Sequence, residues 1–246
     1  MITEKLIFKI PYEIPTAFHP SQLTGGQLYL RKDQATVSSW VSDIGIARDF
    51  VQGVAGQQPT ISTDTVDFDG INDIMLLSES NLFGSDSSGI MFLSGYFDGN
   101  FIRLFTSSWS SSDFQYIDIF INSSGNLNVR FNSAGTGGSN DYVRFNEVIP
   151  TNSYFYVSIE SIGVGNPYIA TVNGVLSANT VILGADNGKW FDSVPNRNSN
   201  TLGGRVLLSG TGYTVSMLNK NYYNNTALTA LEKSNMQTFM SDPTNY

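Results

Sequence analysis

Through most of the chain, apolar and polar side chains alternate in short runs broken by Gly, Asn, Asp and Ser, and long helical patterns are nearly absent. A period of two marks strands with one buried face. The stretch that organises the rest is Val66-Asp67-Phe68-Asp69-Gly70-Ile71-Asn72-Asp73-Ile74-Met75-Leu76-Leu77. Val66 and Phe68 alternate with Asp67 and Asp69, and Asp69-Gly70 is a turn signal, because Gly takes positive φ without steric cost. Residues 74–77 form an apolar run, as in a strand covered on both faces. The expectation is a core hairpin.

The same reading places strands over residues 27–31, 36–41 and 48–54 ahead of it. Residues 90–97 and 101–106, around Asp98-Gly99, are expected to form one hairpin, and residues 115–121 and 126–131, around Ser124-Gly125, a second. A flexible loop over residues 135–140 precedes strands at 142–145 and 154–160. Residues 168–172 with Asn173-Gly174 and Val175 carry the clearest two-residue hairpin signal. Strands at 179–183, 201–208 and 213–219 complete the set. Turns recurring every eight to twelve residues or so indicate an all-β sandwich.

One helix is signalled. Thr229 and Glu232 fit a capping box, the hydroxyl taking the N–H three residues on and the carboxylate reaching back. Leu231, Asn235, Met236, Phe239 and Met240 form a stripe, and Asp242-Pro243 ends it. The helix is expected to close one edge of the sandwich. At the other end, residues 2–10 read as a strand followed by Pro11, Pro15 and Pro20, so residues 1–20 are an arm or an edge strand ahead of a single domain over 21–246.

Composition narrows the function classes. Of the 246 residues only 14% are charged, with net charge −8, and the basic residues are scattered singly. Nucleic acid is not an expected partner, because phosphate neutralisation needs clustered cations. No apolar run suits a membrane span, and the N-terminus is too short and too charged for a secretory signal. The absence of Cys removes thiolate chemistry and cysteine metal sites.

The order of several pieces now becomes informative. Leu28-Tyr29-Leu30 is followed by Val37-Ser38-Ser39-Trp40 and an Asp-containing loop, then Gln57-Gln58-Pro59-Thr60 and the stretch from Val66 to Asp73. Much later come Val172-Asn173-Gly174, Leu202-Gly203-Gly204 and Leu228-Thr229-Ala230-Leu231-Glu232. Over roughly residues 22–246 this resembles the laminin-G-like branch of the concanavalin A-like lectin/glucanase superfamily, as found in virion proteins and tail appendages of bacteriophages and in bacterial surface proteins. It departs from that pattern where Tyr29 replaces a Trp and Ile44-Gly45-Ile46-Ala47 replaces a Gly/Asn-rich loop. The resemblance implies a two-sheet antiparallel jelly roll with a short C-terminal helix. It leaves function open, because that fold hosts lectins, hydrolases and structural modules.

Catalytic groups are sparse. Glucanases of the superfamily carry Glu-x-Asp-x-Glu on one strand, whereas none of the six Glu here lies in such a motif and Ile117-Asp118-Ile119 offers one acid. A Ser-His-Asp triad could draw only on His19, and no Gly-x-Ser-x-Gly elbow exists. The resemblance makes calcium the open cofactor question, with Asp43, Asp69, Asn72, Asp73 and Asp186 as oxygen ligands; turn-building is the competing role of these residues. For sugar binding, Trp109 among serines is the first candidate, followed by Trp190 with Asp192. The expected protein is a non-enzymatic virion or host-attachment module, made without a signal peptide. Its partners would be virion proteins, its own copies or a cell-surface polysaccharide. The alternatives are a bacterial surface carbohydrate-binding module and, behind it, a glycan-cleaving enzyme.

Overall fold

The computed structural model describes residues 18–44, 48–77, 83, 86–133 and 140–244. The arm expected over residues 1–20 lies outside them except at its end, where His19 caps a 3-10 turn, Pro20–Gln22. The loop expected at 135–140 also lies outside, apart from Asn140.

The strands, in chain order, are β1 (Gly26–Ala35), β2 (Ser39–Ser42), β3 (Phe50–Val51), β4 (Thr60–Ile61), β5 (Val66–Asp69), β6 (Met75–Leu77), β7 (Gly89–Phe97), β8 (Ile102–Ser108), β9 (Tyr116–Ile121) and β10 (Asn126–Asn132). They continue as β11 (Asn140–Val148), β12 (Ser153–Ser161), β13 (Ile169–Val172), β14 (Val175–Ser177), β15 (Asn179–Leu183), β16 (Ser199–Leu202), β17 (Gly204–Leu207), β18 (Gly210–Tyr213) and β19 (Val215–Asn224). A helix, α1 (Ala230–Ser241), follows.

The antiparallel pairings resolve into two layers. In the first, β19 lies between β7 on one side and, on the other, β5 along its first half and β1 along its second. Beyond β7 come β12, β13 and β14. The second layer runs β3-β6-β16-β8-β9-β10-β11-β15. β2 pairs with both β1 and β3, so it stitches the layers together along one side. Along the opposite side β14 and β15 end their layers. Between the layers lies one apolar core that includes Trp40, Phe50, Phe68, Phe105, Phe145, Phe155, Trp190 and Tyr223. This is the all-β sandwich expected from the alternation, in the antiparallel jelly-roll form that the resemblance implies.

Two expected hairpins are not hairpins. β5 pairs with β4 and β19 in the first layer, whereas β6 pairs with β3 and β16 in the second. The turn between them is an arch over the core. The Asp69 carboxylate builds it by accepting the N–H groups of Ile71 (2.8 Å) and Asn72 (3.2 Å). Leu76 is exposed, so β6 is not covered on both faces. β7 and β8 likewise belong to different layers. Turn chemistry says where a chain reverses and not which strand it pairs with. The expected strand over 201–208 is also broken at Gly203, whose φ is +75°; the Phe68 ring would lie 2.0 Å from a Cβ there. The β9–β10 hairpin and the β13–β14 hairpin form as expected, the latter with positive φ at both Asn173 (49°) and Gly174 (80°), as a type I′ turn requires.

The capping box of α1 is present, with the Thr229 N–H donating to Glu232 Oε2 at 2.7 Å. The helix lies on the outer face of the first layer instead of closing an edge. Met236, Phe239 and Met240 cover Tyr29, Phe92 and Tyr222, forming a second apolar cluster. Leu231, expected in the apolar stripe, is 70% exposed. It sits in the first turn, away from the residues that meet the sheet.

Candidate functional site: an arginine and aromatic face

The outer face of β8–β11 is where chemistry-bearing side chains converge. In β9 the residues Ile117, Ile119 and Ile121 enter the core, so alternation turns Tyr116, Asp118 and Phe120 outward. In β10 Leu127, Val129 and Phe131 point in, which leaves Asn128 and Arg130 outside; in β11 the core residues Val143 and Phe145 leave Tyr142 and Arg144 outside.

Register then assembles rows across the strands, because directly opposed residues share a face. One row is Arg103–Phe120–Asn128–Arg144–Thr180, and the next is Thr106–Asp118–Arg130–Tyr142. The β17–β18 hairpin folds against the end of this face and adds Arg205, whose guanidinium stacks 4.3 Å from the centroid of the Tyr116 ring. It is pinned by Ser108 Oγ donating to the Val206 carbonyl (2.8 Å) and by the Ser209 N–H donating to Asp113 Oδ1 (2.7 Å).

Asp118 is the only carboxylate in these two rows, and it is 2% exposed. It accepts from Arg103 Nε (3.0 Å), Thr106 Oγ1 (2.7 Å) and Arg205 (3.5 Å). Arg103 also lies over Phe101, which packs on Phe120, which in turn packs on Tyr142. Arg130 and Arg144 differ from the other two arginines: neither has an ion pair among the described residues. Beside them the side-chain oxygen of Asn128 is buried without a hydrogen-bond partner. Four of the seven arginines thus share one face whose two rows hold a single carboxylate, with Asp113 at its end beside the hairpin of Arg205, in a chain of net charge −8. Tyr116 and Phe120 are covered by these neighbours, at 3% and 6% exposure, so the rings left for the C–H side of a sugar are those of Phe101 and Tyr142, beside planar donors for its anionic or hydroxyl oxygens.

The residues expected from sequence are placed differently. Trp109 is half-buried at the start of the β8–β9 loop, which Asn198 holds through the Ser110 N–H (2.8 Å). Trp190 is wholly buried and donates from its indole N–H to the Tyr223 hydroxyl at 3.2 Å, so it is a core residue and not a ligand platform. Gly188 and Lys189 before it suggest a loop, but Trp190 packs among Tyr168, Phe191 and Tyr223. Asp192 is exposed beside it.

The five calcium candidates occupy three separate surroundings. Asp43 faces Arg31 (3.6 Å) and His19 (3.7 Å). Asp69, Asn72 and Asp73 build the arch after β5. There the backbone N–H groups of Ile71, Asn72 and Asp73 outweigh slight burial and hold the Asp69 carboxyl below its usual range, while burial raises Asp73. Asp186 accepts the Tyr168 N–H (2.9 Å) and the Asn179 amide (2.6 Å), with burial raising its pKa against those bonds. Among the described residues no group of three or more His, Cys, Asp or Glu is placed to hold a metal ion. Of these groups, the Asp69 and Asp73 carboxylates accept backbone N–H groups within the arch.

No family model matches the chain, and no curated protein matches it by sequence. Solved structures do. The carbohydrate-binding module CBM40 of the Ruminococcus gnavus IT-sialidase, bound to α2,3 sialyllactose, aligns with a TM-score of 0.52 at 12% identity, over 63% of this chain and 83% of that one. NanB sialidase from Streptococcus pneumoniae aligns at 0.51 and 19% identity, over 61% of this chain and 24% of its own. Trypanosoma rangeli sialidase aligns at 0.60 and 10% identity, over 87% of this chain, which spans 32% of that enzyme. At such identities the likeness concerns the fold: this chain has a β-sandwich of the kind built into sialidases and their carbohydrate-binding modules.

Proposed function

We propose that the chain is a non-catalytic carbohydrate-binding module that attaches its carrier to a cell-surface polysaccharide through the outer face of β8–β11. The observation that carries this reading is the pair Arg130 and Arg144, part-exposed beside Tyr142 and without a carboxylate partner among the described residues. Uncompensated guanidinium groups in an acidic chain favour a glycan bearing carboxylates. The fold neighbour solved with sialyllactose supports the same class of ligand. The non-catalytic part rests on Asp118. Glycoside hydrolysis uses two carboxyl groups across the bond; the two rows of this face supply one, closed off by two arginines and a threonine, and Asp113 at its end is engaged by the Ser209 N–H. The carrier is read as a bacteriophage particle from the sequence resemblance alone; a bacterial surface protein would use the face in the same way.

Titration calorimetry with sialyllactose, oligoglucuronates and neutral lactose tests the proposal. Acidic glycans are expected to bind and lactose not. Arg130→Ala and Arg144→Ala should each weaken binding by about 10- to 100-fold, the equivalent of a charge-assisted hydrogen bond of about 1.5–3 kcal/mol, and added salt should weaken it too. Binding unchanged in the double variant, or steady release of reducing sugar, would overturn the reading.

A further inference from the structure

The sandwich is stitched along one side by β2; along the other, β14 and β15 end their layers and the chain crosses between them through Ala178 alone. That side is apolar. Val175, Leu176, Val181, Ile182 and Leu183 are between 44 and 69% exposed. Residues 169–185 contain no charged side chain, in a chain of net charge −8. Among the described residues β15 pairs only with β11, so its other edge presents unpaired backbone N–H and C=O groups. Edge strands are ordinarily guarded by charges, Pro or bulges that block further pairing; β15, Asn179–Leu183, has neither a charge nor a Pro, and its one irregularity is a register shift against β11 at Ile182.

From this we infer that β15 is a self-association edge, at which a second copy of this chain adds its own β15 antiparallel and continues the second layer into one sheet across the dimer. A second copy suits the edge because antiparallel pairing of identical strands is self-complementary about a two-fold axis. The uncharged stretch is also where two acidic chains repel least. The axis stands perpendicular to the sheet, so the outer faces of both second layers point the same way. β11 is the neighbour of β15, and Arg144 stands opposite Thr180. The two Arg144 positions are then three strand spacings apart, about 14 Å at ~4.8 Å each. The dimer therefore presents one continuous double face, matched to a repeating acidic polysaccharide. This last step rests on the proposed glycan reading; the pairing itself does not.

The experiment compares the full chain with Ile182→Lys and with a chain lacking residues 1–16. The expected result by light scattering is a particle of twice 26.9 kDa for the wild type. Ile182→Lys should be monomeric with an unchanged melting temperature, and the truncated chain should remain dimeric. A wild-type monomer, an open-ended aggregate, or a dimer that survives Ile182→Lys overturns the inference. So does a dimer lost only on truncation, which would make the N-terminal segment the occupant. Calorimetry then separates the two readings. Ile182→Lys should bind sialyllactose as the wild type does but lose about 100-fold or more for polysialic acid, because avidity is lost. If neither ligand binds the wild type while the dimer persists, the glycan reading fails and the pairing stands.

Discussion

Asp118 lies on the outside of a sheet and is nevertheless closed off, because Arg103, Arg205 and Thr106 surround it. Breaking such a group by removing one partner leaves buried charge uncompensated. Asp118→Asn is expected to cost about 3–5 kcal/mol, measured by urea unfolding, by leaving two guanidinium groups without their carboxylate. Phe68 and Trp109 give a contrast of another kind. Phe68 is in the core against Gly203, whereas Trp109 is half-buried in a loop. Phe68→Ala should cost about 3–5 kcal/mol as its cavity opens, and Trp109→Ala distinctly less. Equal losses in thermal melting would place Trp109 in the core.

Helix α1 shows how one element can be specified locally and positioned globally. Its start is set by the Thr229–Glu232 box, and Thr229→Ala should lower stability by about 1 kcal/mol, read from the shift of the urea midpoint. That change is expected to leave the jelly roll intact. The box is a local device, so it was legible in the sequence. The face on which the helix lies was not, because it depends on Tyr29, Phe92 and Tyr222 coming from three strands far apart in the chain. The arches after β5 and β7 have the same origin. Asp69-Gly70 and Asp98-Gly99 both reverse the chain, but the pairing partner is decided by which layer offers a free edge.

At the scale of the whole molecule, buried ionisable groups make stability depend on pH. Lys220 is fully buried, with its ammonium donating to the carbonyls of Phe239 (3.3 Å) and Asp242. Burial pushes its pKa down from 10.5 to about 8, against the pull of the Asp242 carboxylate. Burial also pushes Tyr222 up from 10.0 to about 12, and raises Tyr223 and Tyr168. Between pH 8 and 10.5 the unfolded chain keeps a proton that folded Lys220 has released, so this group makes stability rise with pH. Above pH 10 unfolded tyrosines ionise while the buried ones hold their protons, and stability falls. Urea midpoints should therefore pass through a maximum on the alkaline side, and Lys220→Met should remove the rising limb. A profile that is flat across this window would contradict the burial of Lys220.

The period of two, the spacing of turns and the missing helical pattern were sufficient to determine an all-β sandwich, since each depends only on residues a few positions apart. The I′ turn at Asn173-Gly174 and the cap at Thr229 were readable for the same reason. The candidate site was not. Arg103, Arg130, Arg144 and Arg205 stand singly in the sequence, each an ordinary outward residue of an alternating strand. Register across β8, β9, β10 and β11, together with the fold-back of β17–β18, brings them onto one face, and register depends on partners tens of residues away. Trp190 shows the converse. Its neighbours Gly188 and Lys189 suggest an exposed loop, and tertiary packing against Tyr223 and Phe191 takes it into the core. Local chemistry therefore determined which elements form, and long-range pairing decided which side chains meet.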